Sequence, residues 1–236
     1  MHLAILMTNT DESAFAQAHP KDGDKFTDFI RLARPDWTTG IHGVKDGNFP
    51  DADAGFDGVI ITGSPASVHS DAPWVTRLLE LIRDLHAARA PILGVCFGHH
   101  AIATALGGAV ARNPGGWVHG TVPVDLISTL PFAPLPPRLH LCASHSEQVS
   151  ALPDGARTWS ASPDCPIAGF TLGRHVLTTQ HHPEMSDAYF FALTEELAEP
   201  LRLDLAPNTR ATNAMPSDQM LMAETVALFF EAARDG

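Results

Sequence analysis

Cys96 stands between two glycines in "GVCFG" (94–98), behind the apolar run "PILGV" and ahead of a stretch that reads as a helix. A G-x-C-x-G segment at a strand-to-helix step has the pattern of a nucleophile elbow. The glycines let strand and helix approach closely, and the strained turn holds the central side chain above the sheet edge. A sulfur in that place meets the first amides of the helix, so the helix dipole favours its thiolate and the Phe97 N–H faces a developing oxyanion. Such a nucleophile needs a base within hydrogen-bond reach and a group that orients the base. "QHHPE" (180–184) offers both on one turn: His182 as base, Glu184 behind it, and Pro183 restricting the backbone between them. His99, His100, His181 and His182 all fall near Cys96, and imidazole with thiolate is also a zinc-ligand set. The chain has neither a CxxC pair nor an HExxH spacing. A thiol, imidazole and carboxylate account for Cys96 and His182 without metal, so no metal and no cofactor is expected.

The elements that must hold these groups alternate from the start. "HLAILM" (2–7) reads as a buried strand, and "DKFTDFIRLAR" sets Phe26, Phe29, Ile30 and Leu32 at roughly helical spacing before Pro35 stops the run. "WTTGIHGV" is a weaker strand, and "FDGVIITGSP" a β-branched one ended by Gly63 and Pro65. "WVTRLLELIRDLHAARA" carries Val75, Leu78, Leu79, Ile82 and Leu85 on one stripe. This order predicts an α/β fold with a central, mostly parallel sheet flanked by helices, and ligands at the carboxyl ends of its strands. Beyond Gly108 the runs shorten: "GTVPVDLI", "LHLCASH", "TWSASP", "IAGFTLG" and "HVLTTQ" predict a small antiparallel extension beside that sheet. Two helices close the chain, near Asp187–Ala198 and over "DQMLMAETVALFFEAAR", with "EPLRLDLAPNTRATNAMP" (199–216) irregular between them. One domain over residues 1–236 is the simplest expectation, with a C-terminal helical extension from about residue 200.

Composition removes several classes of partner. The chain has 236 residues, 44% of them hydrophobic, and a formal charge of −12 from 27 acidic against 15 basic residues. Without a Lys/Arg cluster to follow phosphates, nucleic acid and an anionic membrane surface are excluded. No stretch approaches the roughly 20 apolar residues of a membrane span, and the N-terminus lacks a basic leader pattern, so a cytoplasmic location is expected. Cys96, Cys142 and Cys165 are odd in number and widely spaced, as free thiols in a reducing compartment are. Cys142 and Cys165 read as small core residues. Trp74 and Trp117 read as packing anchors, and Trp117, after "PGG", stands where it would border a pocket.

With "GVCFGH", "QHHPE" and "IITGSP" in place, the chain resembles a class I, triad-type glutamine amidotransferase domain of the flavodoxin-like kind. "GDKFTDF", "DAPWV", "PGGWVHG" and "SHSEQVSALP" extend the resemblance, over residues 1 to about 190, to its stand-alone branch similar to the GMP-synthase domain. The resemblance implies Cys96 as nucleophile, His182 as general base and acid, and Glu184 as its orienting partner. It implies an oxyanion hole from the amides of Phe97 and Ser64, with Gly63 giving the loop its freedom. Ser144, His145 and Ser146 stand where the family lines the amino-acid end of the substrate, with Ser146 at a place where glycine is common. Two further residues depart from the pattern. His100 replaces a Gln four residues after the nucleophile, on the same helical face, and puts free glutamine in question as the natural substrate. Val118 removes the acidic residue of a Trp-Glu-x-Gly pattern.

Three functions fit this set. A stand-alone hydrolase of γ-glutamyl amides or peptides, working through a γ-glutamyl thioester, is favoured by the full triad, by His100 and by a length that leaves no room for an acceptor domain. A glutaminase subunit passing ammonia to a separate synthase partner is the second. A binding or regulatory protein on the same fold is the third, and it has no need of the triad.

Overall fold

The computed structural model describes residues 1–51, 54–199 and 216–234. Its centre is a nine-stranded sheet. Five strands run parallel: β1 (His2–Met7), β2 (Thr38–Gly43), β3 (Gly58–Ile61), β4 (Ile92–Val95) and β11 (Val176–Thr179), in the order β2-β1-β3-β4-β11. The sheet continues through β10 (Cys165–Leu172), β9 (Arg157–Ser162), β6 (Val118–Leu126) and β7 (Arg138–His145), each antiparallel to its neighbour. A separate pair, β5 (Ala109–Arg112) with β8 (Glu147–Ala151), forms a small antiparallel sheet.

The mostly parallel sheet is the expected one, and two details sharpen it. "HVLTTQ" is expected among the antiparallel runs, yet β11 lies parallel to β4, with Val176–Thr179 in register with Ile92–Val95. The reason is burial: all four β11 residues are buried, which is the mark of a strand covered on both faces. The antiparallel strands also extend the same sheet rather than standing beside it.

Alternation along β1 sets the two layers. Leu3 and Ile5 join one core cluster with Phe26, Phe29 and Ile30 of α2 (Asp22–Ala33) and Met222, Val226 and Phe229 of α6 (Gln219–Arg234). Ala4 and Leu6 join the other, with Val75, Leu78 and Ile82 of α3 (Pro73–Ala87) and Phe97, Ala101 and Ile102 of α4 (Phe97–Ala105). Leu32 is 43% exposed, because it falls off the stripe that Phe26, Phe29 and Ile30 define. Arg34 at the end of α2 binds Glu224 (2.9 Å) and Glu231 (2.7 Å), fastening α6 to that face. A short α1 (Ala14–Ala18) and α5 (Asp187–Leu197) flank the carboxyl ends of the parallel strands. The irregular stretch expected at 199–216 lies outside the described residues, its two end positions excepted.

Candidate active site

β3, β4 and β11 are neighbours and parallel, so their carboxyl ends open side by side. From them come Gly63 and Ser64, then Cys96, then Gln180, His182 and Glu184. The step from β4 to α4 confirms the elbow: Cys96 has φ 51° and ψ −103°, a region L-residues avoid at a cost on the order of 1–3 kcal/mol. Both flanking glycines are required by space. A Cβ on Gly98 would strike the Ile61 carbonyl oxygen, and one on Gly94 would lie 2.6 Å from the Gly98 carbonyl oxygen. The Cys96 amide donates to the Thr179 carbonyl (2.9 Å), pinning the turn to β11.

Cys96 is 6% exposed and lies at the wall of a cavity of about 330 Å³. His182 hydrogen-bonds with its sulfur, and on the other side its Nδ1 lies 2.7 Å from Glu184 Oε1. Burial by itself pushes the His182 imidazolium down. The Glu184 carboxylate and the Cys96 sulfur together outweigh that and hold the ring well above its ordinary value. Glu184 is 4% exposed, and its backbone carbonyl accepts from Gln219 Nε2 at 3.1 Å, so α6 steadies the turn. The three residues expected from the sequence as a triad are therefore in contact.

The expected oxyanion residues are also at hand. Phe97 is the first residue of α4, where amides have no intrahelical acceptor, and its ring is buried against Trp74 at 5.5 Å. Gly63 and Ser64 line the cavity with Cys96. A Cβ on Gly63 would come 2.8 Å from His182 Cε1, so only glycine lets this loop sit against the base.

Ser144, His145 and Ser146, at the end of β7, line the same cavity. Ser144 Oγ lies 3.1 Å from His119 Nδ1, and His119 Nε2 lies 2.9 Å from Thr194 Oγ1, which ties α5 to this wall. Burial pushes His145 down to about 4, so the ring is neutral, and its Nδ1 donates to the Glu147 carbonyl at 3.0 Å. His100 lines the cavity, as its place one turn after Cys96 requires. Its Nε2, however, donates to Gln180 Oε1 at 2.8 Å, and Gln180 Nε2 in turn lies 3.8 Å from Cys96 Sγ. Burial lowers His100, leaving a neutral donor. His99 and His181 are fully buried and pushed well down by desolvation; His99 Nδ1 bonds Thr178 Oγ1 at 2.8 Å. Among the described residues no three His, Cys, Asp or Glu side chains form a metal-holding cluster. Cys142 and Cys165 are buried, and desolvation raises each thiol to about 12, so they are inert beside Cys96. Trp117 borders the cavity and is 41% exposed.

Sequence reasoning passed over several wall residues. Lys25 and Asp22 pair at 2.6 Å, both under 10% exposed, with the Lys25 ammonium 4.1 Å from the centre of the Tyr189 ring. Burial opposes that ammonium, and Asp22 and Tyr189 more than restore it. The signal was present: Asp22 and Lys25 share the inward face of α2 with Phe26 and Phe29, where a charged pair has no place unless something meets it. Gln180 and Arg112 also line or abut the site, and neither a lone Gln nor a lone Arg marks itself in a sequence.

The site thus joins a cysteine at a positive φ between parallel-strand ends, a buried imidazole on it and a carboxylate behind. The chain belongs to the class-I glutamine amidotransferase family, whose profile matches residues 39–190. It is 31% identical over 163 residues to gamma-glutamyl peptidase 3 of Arabidopsis thaliana, covering 65% of this chain. That match spans 66% of the relative's own length, just under two thirds. Gamma-glutamyl peptidase 5 of the same plant is 28% identical over 229 residues, with 90% of this chain and 89% of the relative covered. Among solved structures, a glutamine amidotransferase from Thermotoga maritima superimposes with a TM-score of 0.77 at 18% identity, covering 99% of this chain and 98% of that one. That likeness is one of fold.

Proposed function

We propose that the protein is a cysteine hydrolase of γ-glutamyl amide bonds, acting on γ-glutamyl amides or peptides. The observation that carries the reading is His182 held between Cys96 and Glu184, all three buried at the wall of one cavity. Cys96 Sγ attacks the γ-carbonyl carbon, forming the S–C bond while the carbonyl π pair moves to oxygen. The amides of Phe97 and Ser64 take that oxyanion. His182, kept protonated by its two neighbours, gives its proton to the leaving nitrogen as the C–N bond breaks. A water then loses a proton to His182, attacks the γ-glutamyl thioester and frees glutamate and the thiolate. Glu184 holds the imidazolium through both halves.

Support for a γ-glutamyl compound larger than glutamine comes from His100, whose Nε2 is already engaged by Gln180, and from the names of two relatives. Ser144, His145 and Ser146 are assigned to the glutamyl end of the cavity. The three free cysteines fit the reducing cytoplasm. Among the described residues no helix is long and apolar enough to cross a membrane.

The test is glutamate release from L-glutamine, γ-glutamylalanine and γ-glutamyl p-nitroanilide, with Cys96→Ala as control. Turnover of a γ-glutamyl compound well above glutamine, lost in the variant, establishes the reading. Glutamine turnover that appears only when a synthase is added replaces it with the glutaminase-subunit function.

A further inference from the structure

Two buried hydroxyls behind the cavity meet the peptide that the proposed oxyanion hole depends on. Thr8 follows β1 and Thr62 follows β3, and both are 0% exposed. The Thr8 hydroxyl lies 3.0 Å from the Gly63 carbonyl oxygen and 3.0 Å from the Thr62 carbonyl oxygen, so its one proton is shared between them. Thr62 Oγ1 accepts the Thr8 amide at 3.0 Å, which frees its own proton for the Gly63 carbonyl oxygen at 3.3 Å. The Gly63 carbonyl is thus the acceptor for two hydroxyls that reach nothing in the cavity. The Gly98 amide, in the first turn of α4, donates to the Thr62 carbonyl at 3.2 Å and joins the same network to the nucleophile's helix.

In a trans peptide the C=O and the next N–H point in opposite directions. With the Gly63 carbonyl drawn back to Thr8 and Thr62, the Ser64 N–H is directed the other way, to the wall that Gly63 and Ser64 share with Cys96 and His182. Rotation of this one peptide would exchange a donor for a carbonyl oxygen at the place where negative charge develops, repelling it. Glycine at position 63 permits that rotation. His182 Cε1 excludes any Cβ at position 63, and glycine leaves the backbone its widest choice of φ and ψ. The residue that makes room for the base also removes the steric brake on the peptide.

We propose that Thr8, assisted by Thr62, is a positioning residue for the hydrolysis: its hydroxyl latches the Gly63–Ser64 peptide so that the Ser64 N–H, and not the Gly63 oxygen, faces the oxyanion. The inference rests on the hydrolase reading given above. It places one requirement for turnover in a side chain that touches neither substrate nor sulfur, and predicts an effect on the transition state with little on ground-state binding.

The experiment replaces Thr8 with Val, which keeps shape and removes the hydroxyl, and with Ser, which restores it. Turnover is read on whichever compound of the panel above wild type cleaves fastest. Loss of an oxyanion donor lowers kcat by roughly 10²–10³-fold. A latch that leaves the peptide partly in place is expected to cost about ten- to a hundredfold in kcat for Thr8→Val, with KM within about twofold. Thr8→Ser is expected within about threefold of wild-type kcat, and Thr8→Val/Thr62→Val below either single variant. Wild-type kcat in Thr8→Val overturns the inference, as does a loss that Thr8→Ser fails to rescue or that appears equally in KM. If Thr8→Val does not fold, Thr8→Ala, which also removes the donor, takes its place, and wild-type kcat there overturns the latch. Cys96→Ala, run in parallel, separates the two levels. Turnover surviving in it removes the site itself, whereas turnover lost there and unchanged in Thr8→Val removes only the latch.

Discussion

The two halves of the sheet differ in what their strand ends can contribute. In the parallel half, β3, β4 and β11 present three carboxyl ends side by side, and the proposed nucleophile, base, carboxylate and both proposed oxyanion amides all leave from them. In the antiparallel half the ends alternate. Only the end of β7, with Ser144, and the start of β6, beside Trp117, reach the cavity. Burial marks the three strands at the site rather than the whole parallel half: β3, β4 and β11 are buried at every residue, whereas β2 has no buried residue and β6 and β7 alternate buried with more exposed positions. On the proposed mechanism the parallel half carries the reacting atoms, and the antiparallel half shapes the wall around the substrate.

The widest gap between the halves is expected from Cys96→Ala, which removes the bond-forming atom and lowers kcat by roughly 10⁴-fold or more. No single change to Ser144 or Trp117 is expected to approach it, and steady-state rates on the same γ-glutamyl compound decide the matter. Next comes Glu184→Gln. The amide keeps the 2.7 Å contact with His182 Nδ1 but not the charge, and kcat is expected to fall by roughly 10²–10⁴-fold. Glu184 is also the strongest influence raising His182, so the pH limb that reports the imidazolium moves down in this variant. An unmoved limb would mean that the limb belongs to another group.

The parallel half was legible because its signals are local. G-x-C-x-G fixes a turn, the Gly94 and Gly98 clashes explain why no other residue serves, and continuous apolar runs mark strands buried on both faces. β11 was misplaced because "HVLTTQ" is short and follows several antiparallel runs, and a four-residue strand carries no sign of its partner's direction. The triad was visible once His182 and Glu184 were set against Cys96. The Thr8 latch and the His100–Gln180 contact were not, because each joins residues 55 to 80 positions apart through side chains whose types are common everywhere. Spacing reveals what one element does, and contacts between elements require the fold.

Stability can be tested in both halves. A methyl at Gly98 must displace the Ile61 backbone, and Gly98→Ala is expected to cost about 1–3 kcal/mol in denaturant unfolding. Acid acts on both halves, through His99 and His181 beside the parallel strands and through His145 and His119 in the antiparallel ones. Desolvation holds His145, at the end of β7, at about 4, and His119, in β6, at about 4 with help from His182. The unfolded chain takes up these protons below its ordinary value near 6.5, while the folded rings resist until about 4. The stabilisation is therefore full above that ordinary value and is lost as pH falls towards 4, at about 1.4 kcal/mol per pH unit for a fully buried ring such as His145. His182 runs the opposite way: its contribution is full below its ordinary value and is lost as pH rises through its raised one. A melting temperature that falls between pH 6.5 and 4 in wild type, and falls less in His145→Gln, is the expected result.

The smallest effect is the one that tests the division most directly. Trp117 is 41% exposed at the cavity rim, after the turn at Gly116. If the antiparallel half serves only as a wall, Trp117→Ala removes aromatic contact that substrate and transition state feel alike. Uniform binding of that kind raises KM and leaves kcat unchanged. A rim aromatic is worth about 0.5–1.5 kcal/mol, so KM is expected to rise roughly two- to tenfold on the γ-glutamyl compound with the larger leaving group, and less on glutamine. A fall in kcat at constant KM would instead place Trp117 in the transition state and erase the distinction between the two halves. Equal effects on both compounds would move Trp117 from the leaving-group wall to the glutamyl side.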